Sequence, residues 1–146
     1  MDDDSKNGAV GAPADTDATS TDEDATTNVR IAAQFIRDLS FESPNVRKLI
    51  SGPGENPNLQ LEINVTAATV ARDLYESVID FKAHATNADG VIYDLEMTYG
   101  GLFEVQNMPQ QSLEPFLLVN CPALLFPFLR RLVADLTREG GFPPLF

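Results

Sequence analysis

The sequence predicts an α+β fold, in which a four-stranded antiparallel sheet is followed by helices packed on one of its faces. Between residues 33 and 105, apolar and polar side chains alternate with a period of two over several stretches, which is typical of strands with one dry and one wet face. From residue 110 the apolar side chains recur at helical spacing. Because the strands precede the helices and do not alternate with them, an antiparallel sheet is favoured. An apolar content of 43% over 146 residues suffices for one core, so we expect one folded domain.

The four strands are expected at residues 33–42, 59–70, 74–86 and 91–99. In the first strand the apolar parity comprises Phe35, Leu39 and Phe41, and the polar parity comprises Gln34, Asp38, Ser40 and Glu42, with Ile36 as an exception. Residues 87–90 end in Asp-Gly, a hairpin signal, because these residues tolerate the positive φ of tight turns. Gly100 and Gly101 are expected to bend or bulge the chain before residues 102–105.

Two helices are expected after the sheet, a short one at residues 110–119 and a main one at residues 124–136. Asn120 is a candidate N-cap, and Pro122 lies in the first turn, where proline is tolerated. Gly140 and Gly141 are expected to end the main helix.

The main helix predicts oligomerisation because its apolar side chains span roughly 200°, whereas a helix that covers only its own sheet needs about 100°. A four-stranded sheet with one wet face offers only one dry face, so the surplus most simply meets another subunit. Alternatively, the helix at residues 110–119 covers the surplus. The interface candidates are Leu125, Phe128, Leu129, Leu132 and Leu136.

Composition divides the chain into a tail and a domain and excludes several partners. Residues 1–27 are acidic, lack aromatic residues and contain one basic residue, Lys6, so we expect a disordered tail followed by a folded domain at residues 28–146. A net charge of -12 disfavours binding to nucleic acid or anionic lipid. We expect neither a secretory signal nor direct membrane insertion. The single cysteine, Cys121, fits a reducing compartment such as the cytoplasm.

No enzyme, cofactor or metal site is predicted. His84 lies on a polar strand parity without a second metal-ligating side chain nearby, and Cys121 is interpreted as a small buried hydrophobic residue. The wet face carries an acidic quartet, namely Asp38, Glu42, Asp94 and Glu96. These four residues form either an ordinary solvated face or a docking patch for a basic partner. Acid–base catalysis is disfavoured because a flat wet face offers neither a cleft nor shifted pKa values.

Four short strings, taken together and in order, resemble the SecB family of bacterial, in particular proteobacterial, protein-export chaperones. They are FIRDLSFESPN at residues 35–45, YGGLF at 99–103, NCPALLFPF at 120–128 and GGFPPL at 140–145. The resemblance covers the chain from about residue 33 to residue 145.

The resemblance implies a homotetramer, built as a dimer of dimers through the long helices, that holds unfolded preproteins without ATP. It further implies docking onto the SecA motor through an acidic patch on the exposed sheet face. Asp38, Glu42 and Glu96 match the family positions for that patch, whereas Asp94 stands where relatives can carry an apolar residue. Family members usually continue into another helix and a flexible tail, so we expect a domain shortened at its C-terminus.

A chaperone that holds many sequences needs apolar pockets together with backbone hydrogen-bonding edges. The candidate client-binding residues are Tyr93, Phe103, Phe116, Phe126 and Phe142; for each of them, ordinary core packing is an equally good interpretation. Two other functions stay open. One is a SecB-like chaperone dedicated to a toxin–antitoxin system, and the other is a small-ligand-binding α+β domain, which would need convergent polar groups inside a cavity.

Overall fold

The computed structural model describes residues 26–49 and 57–146, so the predicted tail at residues 1–27 lies outside the described residues except for its last two. The strands are β1 (Asn28–Glu42), β2 (Asn58–Ala71), β3 (Leu74–Asn87) and β4 (Gly90–Gln106), and a 3-10 turn spans Val46–Leu49. They form one antiparallel sheet in the order β1-β4-β3-β2. The helical region comprises α1 (Gln110–Pro115), a π-helical segment (Phe116–Asn120) and α2 (Cys121–Glu139). The predicted α+β fold is confirmed.

The two faces of the sheet differ as the period-two pattern predicted. On the inner face, which α2 covers, apolar side chains of β3 and β4 oppose one another across the ladder, as in the pair Phe81 and Met97. Both side chains are buried in the core. On the outer face the neighbouring pairs are polar, for example Lys82 opposite Glu96. The sheet therefore has one dry and one solvated face over its two central strands.

Strand β1 changes parity along its length, which the sequence pattern did not reveal. The register between β1 and β4 shifts between Ile36 and Asp38, as it also does between Ile31 and Ala33. As a result Phe35 lies opposite Gly100 on the outer face, whereas Ile36 lies opposite Tyr99 on the inner face. The assignment of Phe35 to the dry face together with Leu39 and Phe41 was wrong, because an inserted residue reverses the facing of every side chain beyond it.

The two glycines of β4 do not interrupt the strand, in contrast to the bend expected there. Gly100 and Gly101 both pair with β1 and β3, and β4 continues to Gln106. A Cβ on Gly101 would lie 2.9 Å from Leu125 Cδ2, and a Cβ on Gly100 would lie 3.0 Å from the ring of Phe35. The glycines thus allow α2 to approach the inner face and Phe35 to lie across the outer face.

The helical region is continuous through the point where a boundary was predicted. Asn120 has helical dihedral angles (φ -72°, ψ -42°) and makes no side-chain capping hydrogen bond, so its assignment as an N-cap was wrong. The π-helical segment precedes α2 without a break, and the buried Ser77 Oγ donates a hydrogen bond of 3.0 Å to the Leu117 carbonyl within it. The main helix ends at Glu139, immediately before Gly140 and Gly141, as expected.

The sheet is wider than the helix that covers it. Helix α2 packs on β3 and β4, so the inner face of both edge strands stays partly open. The exposed apolar side chains there are Val29, Ile31, Ile36 and Leu39 on β1, and Leu59, Leu61 and Ile63 on β2. These open margins lie on either side of α2.

The helical run Gln110–Glu139 is long and apolar enough to cross a membrane by length and composition alone. It lacks an uninterrupted apolar stretch of that length, and for this reason no spanning segment was predicted. A third of its most apolar 18-residue window is buried within the protomer. The core helix of a soluble protein can meet the same criteria of length and composition. A helix that carries a second, exposed apolar face meets them as well.

Candidate functional site: an acidic patch and two apolar cavities

The acidic quartet predicted from the sequence lies together on the outer face. Glu42 on β1 is directly opposite Asp94 on β4, and Ser40 is opposite Glu96. Asp38 pairs with Thr98 one step further along. Glu96 therefore lies diagonally between Asp38 and Glu42, within the distance at which cross-strand side chains interact. We call Asp38, Glu42, Asp94 and Glu96 the acidic patch.

Two side chains on β3 contact the half of the acidic patch that lies on β4. Lys82 Nζ is 3.8 Å from Glu96 Oε1, and His84 Nδ1 contacts Asp94 Oδ1. Within the described residues Asp38 and Glu42 form no ion pair. The members of the acidic patch without an ion-pair partner among the described residues therefore lie on β1, at the edge of the sheet, where a basic partner can approach them.

The acidic patch is open to solvent. Asp38, Glu42 and Glu96 are exposed to solvent, and Glu96 lines an open concavity of about 600 Å³ together with Asp94, so this face is less flat than expected. In the part of the chain that the structure describes, no cluster of three or more His, Cys, Asp or Glu side chains is arranged to hold a metal ion. Cys121 is fully buried, and this burial raises the pKa of its thiol to about 12, which keeps it protonated and unreactive.

Two apolar cavities open on the β2 side of α2. The first, which we call the exit-turn cavity, has a volume of about 210 Å³ and lies between β2 and the turn that follows α2. Its lining includes Leu59, Ile92, Tyr93, Phe142 and Pro144. The second, which we call the helix-flank cavity, has a volume of about 80 Å³ and is lined by Leu61, Ile63, Phe126, Arg130 and Leu145, among others. Leu145 lines both cavities, so they adjoin each other along the open margin of β2.

Three of the five predicted client-binding residues line these cavities. Tyr93 and Phe142 line the exit-turn cavity, with ring centroids 5.2 Å apart, and the Tyr93 ring stacks on Phe41 at 5.6 Å. Phe126 lines the helix-flank cavity.

Phe103 and Phe116 lie elsewhere. Phe103 has no exposed surface and belongs to the core beneath α2, so it cannot contact a client in this protomer. Phe116 is half-buried in the π-helical segment and packs against the same core. Alternation had separated the inner from the outer face, but it could not distinguish the centre of the inner face from its open margins.

Residues 22–146 match the family model described as preprotein translocase subunit SecB. The chain belongs to the SecB family. The curated protein-export protein SecB of Afipia carboxidovorans is 43% identical over 131 residues, which cover 90% of this chain and 81% of that protein. SecB of Cereibacter sphaeroides is 40% identical over 136 residues, covering 89% of this chain and 82% of that protein. The family predicted from the four sequence strings is confirmed.

A solved structure has the same fold as this SecB-family chain. It is the SecB-like chaperone Rv1957 of Mycobacterium tuberculosis in complex with a ChAD peptide from the HigA1 antitoxin, with a TM-score of 0.63 and 15% sequence identity. The similarity covers 80% of this chain and 86% of that chain. Membership of the SecB family makes this chain a chaperone of Sec-dependent protein export, a class of soluble polypeptide-binding proteins known as non-enzymatic.

The predicted interface residues of this SecB-family chain divide into two groups. Leu125 and Leu129 are fully buried against the protomer's own sheet and cannot contact a second subunit, which corrects their assignment. Leu132 and Leu136 are half-buried, and Phe128 is 40% exposed. Leu124, which was not among the predicted interface residues, is 47% exposed. A helical wheel gives the width of an apolar arc but not the part of it that faces the sheet.

The open margin of β2 is the feature that the sequence argument missed. Leu59, Leu61 and Ile63 lie in the second predicted strand, but they were not among the predicted binding residues. Their exposure follows from the position of β2 at the edge of the sheet, beyond the reach of α2. An edge strand cannot be recognised from alternation alone, because central and edge strands show the same period.

Proposed function

We propose that this chain is an ATP-independent holdase that binds unfolded preproteins in the cytoplasm and delivers them to the SecA ATPase. The observation that supports this proposal best is the separation of two different surfaces on one sheet. The adjoining apolar cavities lie on the inner side, and the acidic patch lies on the outer face. A client and a basic docking partner can therefore be bound at the same time without competing for the same side chains.

The apolar side suits extended, non-native polypeptide. Burying one large apolar side chain contributes about 1.5–3 kcal/mol, whereas micromolar affinity corresponds to about 8 kcal/mol before the costs of association are met. One cavity is therefore too small for useful affinity. Two adjoining cavities, together with the exposed margin of β2, offer several anchoring points along one segment, and β2 is an edge strand whose outward backbone groups can pair with it.

The acidic patch supports docking of a basic partner, for which the family resemblance suggests SecA. Asp38 and Glu42 form no ion pair within the described residues, whereas Glu96 lies 3.8 Å from Lys82. Ion pairs between exposed side chains contribute about 0.2–1 kcal/mol each, so such docking is modest in affinity and sensitive to salt. Electrostatic attraction of this kind mainly accelerates association, which suits a chaperone that must hand over its client and then leave.

Homotetramer formation through the exposed face of the helical region belongs to the same proposal. Leu124 and Phe128 present apolar surface that the protomer itself does not cover. Light scattering on the wild-type protein is expected to give the mass of a tetramer, and Leu124→Glu with Phe128→Glu is expected to give a smaller species. Arg130→Glu, at an exposed position on the other side of the same helix, serves as the control for a charge change. A wild-type monomer would refute the assembly.

The docking proposal is tested by neutralising the two acids of the patch that form no ion pair within the described residues. Asp38→Asn with Glu42→Gln is expected to weaken SecA binding by about 2- to 30-fold, the equivalent of two exposed ion pairs, while suppression of client aggregation is unchanged. The matched control is Glu114→Gln with Glu139→Gln, which removes the same charge from exposed positions on α1 and α2. Surface plasmon resonance at two salt concentrations measures both variants.

Equal loss of SecA binding in the two variants would attribute docking to net charge and reject the acidic patch. Unchanged binding of Asp38→Asn with Glu42→Gln would reject it as well. If the wild-type protein neither binds SecA nor suppresses aggregation of an unfolded preprotein, the proposed export function is wrong.

A chaperone dedicated to a toxin–antitoxin system is the second candidate, and the peptide bound to the structural neighbour from Mycobacterium tuberculosis motivates it. The curated relatives at about 40% identity are protein-export proteins, which favours export. Co-expression with the antitoxin-like genes nearest to its own gene distinguishes the two functions. A small-ligand function has less support, because the lining of the exit-turn cavity carries a single polar side chain, that of Tyr93.

A further inference from the structure

Tyr93 combines deep burial with an unused hydrogen-bonding group. The residue is 7% exposed, and its burial raises the pKa of the phenol, so the hydroxyl stays protonated. Among the described residues the Tyr93 hydroxyl has no hydrogen-bond partner. Tyr99, six residues further along β4 and on the same face, differs in this respect, because its hydroxyl donates a hydrogen bond of 2.9 Å to Gln34 Oε1. Buried polar groups in folded proteins are nearly always paired, so an unpaired one needs an explanation.

The surroundings of Tyr93 hold its ring in place and provide no substitute partner. The ring packs against Phe41 and Phe142 at centroid distances of 5.6 and 5.2 Å, and these two rings lie 6.5 Å from each other. Tyr93 lines the exit-turn cavity, and every other lining side chain, such as those of Leu59, Ile92 and Pro144, is hydrocarbon. A hydrogen-bond donor thus stands in an otherwise apolar cavity that is open to the surface.

An unfolded segment that places an apolar side chain in this cavity brings its own backbone to the cavity rim. The peptide carbonyl next to that side chain then loses its hydrogen bonds to water, which costs free energy unless the protein replaces them. The carbonyl is the acceptor that every segment carries, whatever its sequence. A polar client side chain, by contrast, would lose solvation in a hydrocarbon cavity.

We propose that Tyr93 positions the client, by donating a hydrogen bond from its hydroxyl to a client backbone carbonyl beside the side chain that fills the exit-turn cavity. This inference rests on the proposed function, because it requires that unfolded polypeptide binds there. The hydrogen bond to the backbone carbonyl does not depend on the client sequence, whereas the cavity selects for an apolar side chain.

The test compares Tyr93→Phe with Tyr99→Phe in the full chain. Fluorescence anisotropy measures the binding of three labelled extended peptides that differ only at a central position, which is Leu, Phe or Tyr. Tyr93→Phe is expected to weaken all three by about 3- to 10-fold, the equivalent of one neutral hydrogen bond. Its thermal midpoint is expected to be unchanged or higher, because an unpaired buried group is removed. Tyr99→Phe is expected to lower the midpoint through the lost bond to Gln34 and to leave peptide affinity unchanged.

An ester in place of the peptide bond identifies the acceptor, because an ester carbonyl accepts hydrogen bonds less strongly. At one position beside the central residue, the ester is expected to weaken binding to wild type but not to Tyr93→Phe. Wild-type affinity in Tyr93→Phe overturns the inference, and so does a loss confined to the Tyr-containing peptide, which would place the partner on a client side chain. If the wild-type protein binds none of the peptides and suppresses no aggregation, the proposed function itself fails.

Discussion

Gly101→Val tests whether the approach of α2 to the sheet depends on the absence of a side chain on β4. A Cβ at this position would lie 2.9 Å from Leu125 Cδ2 and 3.0 Å from the Phe103 ring, both of which are fully buried. Ordinary contacts begin at about 3.4 Å, so the helix or both side chains must move by several tenths of an ångström. Overpacking of a core costs about 1–3 kcal/mol, and a branched residue belongs at the upper end of that range. Replacing a glycine within a strand stabilises the fold by about 0.5–1 kcal/mol. The expected net loss of unfolding free energy is therefore about 2 kcal/mol.

Gly100→Val provides the matched control on the other face of the same strand. Its Cβ would meet the Phe35 ring at 3.0 Å and Val78 Cγ2 at 3.3 Å. Phe35 is only half-buried on the outer face and can turn away, and the contact with the buried Val78 is only about 0.1 Å shorter than an ordinary one. Urea unfolding at several protein concentrations is expected to place Gly101→Val at least about 1 kcal/mol below Gly100→Val. Adding Leu125→Val to Gly101→Val is expected to recover part of the loss. Equal stability of the two glycine variants would refute the role of Gly101.

Three further predictions concern buried polar groups. Ser77→Ala leaves the Leu117 carbonyl of the π-helical segment unpaired, and we expect urea unfolding to show a loss of about 1–3 kcal/mol. Thr137→Val removes the acceptor of the Leu145 backbone N–H at 3.0 Å; faster hydrogen exchange at Leu145 and weaker client-peptide binding are expected, because Leu145 lines both cavities. Burial raises the pKa of Cys121 to about 12. Its contribution to stability is therefore complete below the ordinary thiol pKa and is lost as pH rises from about 9 towards 12, because only the unfolded thiol ionises in that range. The unfolding free energy of wild type should fall more steeply there than that of Cys121→Ala.

The acidic patch was predictable because alternation is a local property of the chain. Asp94 and Glu96 occupy the polar parity of a strand whose other parity is apolar, and β4 contains no register shift between residues 94 and 104 in its pairing with β3. In β1 the same reasoning succeeded for Asp38 and Glu42 but failed for Phe35, because the register shift lies between Phe35 and Asp38. A β-bulge leaves little trace in composition, since either parity of β1 before the shift contains apolar residues.

The sequence by itself determined the family, the number of strands and their position before the helices, and the grouping of the acids on one face of the sheet. These features depend on residue periodicity and on short sequence strings, which can be recognised without knowing what each strand or helix packs against. Only the tertiary structure decided which apolar residues stay exposed after the protomer has folded. Leu125 and Phe128 share one apolar arc of the helix, but Leu125 is fully buried whereas Phe128 is exposed. Phe103 and Tyr93 share one strand parity, but Phe103 is fully buried whereas Tyr93 lines the exit-turn cavity. The reason is that burial depends on the width of the sheet relative to the helix above it, a property that no single segment encodes.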